Sequence, residues 1–188
     1  MKPILVCKGL KTGQVLLSNT LRRLWLEHVL WTRFFIISTA FDLPDLPFVT
    51  QRLLQNPADF ARVLKKYYGF QKAEEFQQLL TDHLLIAAQL VNALKAGDAA
   101  QIEEQRNRWY ANAQDIAYFL ARINTCFWTA FEWENMLFRH LELTEQEAVL
   151  VLNGQYQESI RIYDRIQAQA LGMADFMACG IIKQFDIM

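Results

Sequence analysis

The sequence predicts an all-α protein: an up-down four-helix bundle with additional short crossing helices. Three observations carry that prediction. Apolar residues recur at spacings of three and four from Ser18 to Phe185. Most of the seven Gly and four Pro fall between the periodic runs rather than inside them. The junctions carry helix-start and helix-stop residues.

Size and charge bound the rest. A chain of 188 residues, 53% hydrophobic and 21% charged, is long enough to bury a full core and too apolar for disorder. A formal charge of -1 predicts no nucleic-acid binding driven by bulk electrostatics. The longest apolar stretch, Leu24 to Phe41, is interrupted by Glu27, His28 and Arg33, which argues against a transmembrane segment. MKPILVCKGLKTGQVLL lacks a long apolar run followed by a small-residue cleavage site, so no signal peptide is expected. Cys7, Cys126 and Cys179 are odd in number and form no CxxC, which suits reduced cytoplasmic thiols.

Residues 1–17 read as an N-terminal arm or a small hairpin around Gly9 and Gly13, and residues 18–188 as one helical-bundle domain. The first long helix starts near Ser18 or Thr20, either of which can cap it, and stops at Asp42-Leu43-Pro44. It is apolar on more than one face, as a helix buried on most sides must be. Leu46 to Gln55 forms a short helix with Pro47 in its first turn. Asn56-Pro57-Ala58-Asp59 opens another, which runs to Tyr68 and ends at Gly69.

The second long helix spans Gln71 to Ala96, with Gly97 ending it. Asp98 caps the third, Ala99 to Asn124, and so short a link makes the two antiparallel neighbours. Two capping-box patterns, Thr129 with Glu132 and Thr144 with Glu147, predict two further short helices. Asn153-Gly154 breaks the chain, and the last long helix runs from Gln155 to about Phe185. The order long, two short, long then occurs twice, a pattern that reads as a pseudo-duplication of residues 18–96 and 98–185.

The chemistry-bearing candidates are the histidines. His28, His83 and His140 all lie within apolar patterns. His28 and His83 sit near the midpoints of the first and second long helices, so packing side by side brings them to one height. At about 1.5 Å per residue, Asn112 or Asp115 on the third helix reaches that level. Asp164 and Asp175 share one face of the last helix within roughly two turns of it. Inward imidazoles and carboxylates at one level are how bundles build transition-metal sites. The expected site is therefore His28, His83, Asp164 and Asp175, with His140 as a further member. The same residues also fit a buried polar network without metal.

Other patterns carry less. There is no Glu-x-x-His of the di-iron type, no His-Glu-x-x-His, no G-x-G-x-x-G and no P-loop. Glu147 is explained by its capping box, and Arg33 is expected to pair with Asp164 or Asp175. Trp25, Trp31, Trp109, Trp128 and Trp133 read as core and interface filling.

Five long stretches carry a family resemblance: LWLEHVLWTRFFIISTAFDLPDLPFVTQRLLQNPADFA, LLTDHLLIAAQLVNALKAGD, RWYANAQDIAYFLARIN, HLELTEQEAVLVLNGQY and ALGMADFMACGIIKQF. Through them the chain resembles a family of small all-helical bacterial proteins of no established function. The resemblance implies the helical fold over nearly the whole chain and supplies no catalytic residues. Some members of such families carry the label acetylglutamate kinase. That activity belongs to larger α/β proteins with Gly-rich phosphate loops, and this sequence has neither strands nor such loops.

Three functions follow as expectations. One is a cytoplasmic bundle protein, not a conventional enzyme, whose buried His/Asp site takes a transition-metal ion. Another is a structural or partner-binding module, including a homo-oligomer, whose histidines only set core geometry. A third is a small metal-dependent oxidoreductase or hydrolase. Metal content distinguishes the second from the other two.

Overall fold

The computed structural model describes residues 11–188. Its helices are α1 (Thr12–Ala40), α2 (Leu46–Leu53), α3 (Asn56–Tyr68), α4 (Phe70–Ala96), α5 (Ala99–Ile123), α6 (Ala130–Leu152) and α7 (Tyr156–Gln184). There is no strand among the described residues, and the expected all-α bundle is present. Within them no helix is long and apolar enough to cross a membrane. The four expected long helices are α1, α4, α5 and α7.

The sequence-based boundaries need two corrections. The first helix begins at Thr12, not Ser18, so residues 12–17 are helical rather than arm or hairpin. The remainder of that expected arm, residues 1–10, lies outside the described residues. Gly13 is not a turn residue here. It lets the start of α1 lie against the Met188 carbonyl, where a Cβ would collide. The Gln14 side-chain amide donates to the Ile187 carbonyl at 2.8 Å, so the extra turns are held by the other end of the chain.

The second correction is α6. The two short helices expected after Thr129 are one continuous helix. Its start is a true capping box: Thr129 Oγ1 accepts from the Glu132 amide at 3.1 Å, and the Thr129 amide donates to Glu132 Oε2 at 3.2 Å. The second box never forms. Thr144 Oγ1 instead donates to the carbonyl of His140 one turn back, at 2.9 Å. Nothing in Leu141-Glu142-Leu143 breaks a helix, so the capping pattern has no backbone exit to act on.

With α6 whole, the pseudo-duplication into two halves gives way to three antiparallel helix pairs: α1 with α3 (α2 intervening), α4 with α5, and α6 with α7. Gly97 in the left-handed region and the Asp98 cap on Gln101 (3.1 Å) turn α4 tightly into α5. Contacts across the pairs give the directions. His83 meets Asn112 while Glu75 meets Arg122, and His140 meets Gln169 while Trp128 meets Phe176. Gln14 meets Ile187 and Arg22 meets Asp175, so α7 also opposes α1. His83 of α4 meets His28 of α1 while Lys95 Nζ reaches the Thr39 carbonyl at 2.7 Å, so α1, α4 and α6 run parallel, and they touch one another at the centre.

The core is divided along that central axis. The larger apolar cluster includes Leu21, Leu24, Phe76, Leu80, Trp133, Leu137 and Met173. The smaller, towards the other end of the three helices, comprises Phe35, Ile36, Val49, Leu53, Leu84, Val91, Ala148 and Val151. Each buried Leu or Phe contributes on the order of 1.5–3 kcal/mol, so both clusters stabilise the bundle. A polar layer lies where they meet.

Candidate metal centre

That layer is made by His28 of α1, His83 of α4 and His140 of α6. Each side chain is 2% exposed. One nitrogen from each ring lies within 4.8 Å of the other two. Ring centroids are 6.2 Å apart for His28 and His83 and 5.7 Å for His28 and His140.

Each histidine is held in the same way. His28 Nδ1 lies 3.1 Å from Asn56 Oδ1, His83 Nδ1 2.9 Å from Asn112 Oδ1, and His140 Nδ1 3.2 Å from Gln169 Oε1. The nitrogen of each amide donates in turn to a main-chain carbonyl one turn before the histidine. Asn56 Nδ2 reaches Leu24 O at 3.0 Å, Asn112 Nδ2 reaches Leu79 O at 3.0 Å, and Gln169 Nε2 reaches Met136 O at 2.8 Å.

This second bond fixes the chemistry of the ring. A carbonyl can only accept, so the amide NH2 must face it and the amide oxygen must face the imidazole. Against an oxygen acceptor, Nδ1 carries the proton. A neutral imidazole has one proton, so Nε2 keeps its lone pair. All three rings are thus set in the tautomer a metal requires, with the supporting hydrogen bond on the far nitrogen.

Electrostatics keep the rings neutral. Burial pushes the His28 imidazolium down to about 4, against the upward pull of Asn56. Burial pushes His83 down to about 3, with His28 adding to the shift and Asn112 opposing it. His140 is lowered by burial, then by His28 and His83, against Gln169. Low proton affinity leaves the nitrogen lone pairs available at neutral pH.

A cavity of about 20 Å³ adjoins the three rings, enough for one water-sized occupant. One turn beyond the histidines its wall is Thr32, Ala87 and Thr144, and further along α4 it is Ala88, Val91 and Leu94. From His83 to Leu94 is about 16 Å of helix. Trp109 lines the cavity beside His83, with ring centroids 5.3 Å apart. Its indole N–H is buried without a partner.

The carboxylates expected here are elsewhere. Asp164 is exposed. Asp175 forms a two-point ion pair with Arg22 at 2.6 Å, with both side chains nearly half exposed. The face of α7 that carries both acids is its solvent side, and the seam distinct from it faces the core. Asp115 is exposed as well, whereas Asn112 is at the expected level and bonds His83. Arg33 pairs with Glu147 rather than with either aspartate. Glu147 is therefore an ion-pair partner and not a capping residue.

The residues that sequence reasoning missed are Asn56 and Gln169, the amides that replace the expected carboxylates. A signal for them exists. Each amide follows its histidine by nearly the same interval, 28, 29 and 29 residues. Asn56 was hidden by its position at a helix start, where Asn needs no other explanation.

Comparison with protein-family models, curated proteins and solved structures found no match to this chain.

Proposed function

We propose that this chain is a metal-binding bundle protein in which His28, His83 and His140 hold a divalent transition-metal ion through Nε2. The observation that carries the reading is the threefold amide bridge, which turns three buried lone pairs towards one another's neighbourhood with no donor assigned to them. Three such acceptors together, without a cation or a donor, are costly. Imidazole nitrogen suits Zn, Cu, Fe or Ni rather than Mg or Ca. Bonds of about 2.0–2.1 Å require each ring to close in by less than about 1 Å.

Three protein ligands leave a position open. Structural zinc sites are closed by four ligands, while catalytic ones keep three and an exchangeable fourth. The ligand count therefore favours a reactive or ligand-exchanging centre over a structural staple. The exposed thiols of Cys126 and Cys179, unpaired among the described residues, support a reducing cytoplasmic setting.

Metal analysis of protein purified without a histidine tag tests the reading. About one transition-metal ion per chain is expected, lost in each of His28→Ala, His83→Ala and His140→Ala. Metal-free protein that takes up no zinc, cobalt or nickel, and a melting temperature indifferent to chelator, would leave the histidines as core polar residues only.

A further inference from the structure

Resting on the metal reading above, we propose that the open position of this centre holds a solvent-derived hydroxide, and that Thr32 and Thr144 select it over anions that carry no hydrogen. Charge sets the first requirement. A divalent ion bound by three neutral imidazoles brings two uncompensated positive charges into a buried site. Glu145 also lines the cavity, but its carboxylate is bound by Arg106 Nε at 3.0 and 3.1 Å. A bare divalent charge in a largely apolar chamber is unfavourable, so an anion is favoured in the fourth position.

Volume sets the second requirement. The cavity of about 20 Å³ beside the rings is large enough to admit a water-sized species.

The threonines set the third. Both line the cavity one turn beyond a histidine. The single hydroxyl hydrogen of Thr32 is donated to His28 O at 2.8 Å, and that of Thr144 to His140 O at 2.9 Å. Each oxygen can then only accept. A species bound between the ion and these oxygens is matched when it is negative, water-sized and able to donate a hydrogen bond. Hydroxide meets all three conditions. It forms when metal-bound water loses one proton to solvent, with no change in oxidation state. Trp109 lines the same cavity, and its indole N–H is buried without a partner.

The test uses cobalt(II)-loaded full-length protein and azide, an anion without hydrogen, at one fixed pH. Displacement is followed in the visible bands of cobalt. The parent should bind azide weakly. Thr32→Val with Thr144→Val removes both acceptors at nearly constant volume and should bind azide about tenfold more tightly or better, since the single hydrogen of hydroxide then has no acceptor. Thr32→Ser with Thr144→Ser keeps the acceptors and should behave as the parent. Should the paired Val substitutions prevent folding, each single Val variant is expected to show a smaller shift in the same direction. An azide midpoint equal in the Val and parent proteins, or cobalt bands indifferent to saturating azide, overturns the inference and leaves the metal centre standing. Failure of the folded parent to take up cobalt overturns the metal centre, and this inference with it.

Discussion

Two buried polar constellations link the same helices, α1 and α6, and they are built on opposite plans. At one level His28 and His140, with His83 of α4, are neutral and held by neutral amides. Between one and two turns away, Arg33 and Glu147 form an ion pair. Glu147 is 1% exposed, and the Arg33 guanidinium stacks 4.9 Å from the centre of the Tyr163 ring. The ion pair uses its charges on itself. The triad uses only the outer nitrogen of each ring and leaves the inner one free. Burial does not distinguish the two constellations; the unspent nitrogen of each ring does.

The sharpest way to break the comparison is to remove half of the ion pair. Arg33→Met strands the Glu147 carboxylate and should cost about 3–5 kcal/mol, read by denaturant unfolding. Adding Glu147→Leu should restore most of the loss, because an apolar pair of similar volume avoids the desolvation penalty. A double variant no better than the single would show that this pair does more than satisfy itself.

Next in size is the triad's dependence on metal. At free metal 100-fold above its dissociation constant, binding should add about 2.7 kcal/mol to the stability of the parent and nothing to His83→Ala. Calorimetric melting with and without chelator measures it. Below that come the amides: Asn112→Leu and Gln169→Leu should each weaken metal binding by about 10–100-fold, by competition with a chromophoric chelator. Equal affinities would mean that the bridges do not orient the rings.

Acid and alkali should pull the two constellations apart. His28 falls from an unfolded value of 6.5 to about 4 and His83 to about 3. The unfolded chain then binds more protons in that window. Stability from neutral, buried rings is present above 6.5 and is lost as pH falls towards 4. Burial raises Glu147 from 4.5 to about 7, partly offset by Arg33. There the folded chain binds more protons, and stability falls as pH rises from 4.5 to 7. Apo protein carrying Arg33→Met and Glu147→Leu should therefore lose only the second limb of its melting-temperature profile. The smallest effect belongs to Asp164→Asn, which should change stability by no more than about 0.5 kcal/mol and metal content not at all.

Much of this was legible in the sequence, for identifiable reasons. Periodicity and caps locate the helices because Gly69, Gly97 and Asp98 act locally. The start of α1 was not legible, because Gly13 answers to the far end of the chain. The continuity of α6 was not legible either, since Thr144-x-x-Glu147 has the composition of a helix start inside a helix. The level of His28 and His83 follows from helix midpoints. Their partners do not, because midpoint arithmetic gives height along a helix and not direction around it. Asp164 and Asp175 lie five and six residues either side of Gln169 and face solvent, while Asn56 and Gln169 have the right height and direction and a residue type that suggests no metal chemistry.

The three amide bridges also bear on the order in which the molecule assembles. Each closes within one helix pair, over 28 or 29 residues, so each can form early and independently. The triad draws one ring from every pair and cannot exist until all three have docked. A metal ion bound there would be a latch on the last event rather than a seed for the first. It should leave the folding rate nearly unchanged and slow unfolding, so that the loaded protein persists by lifetime more than by speed of formation.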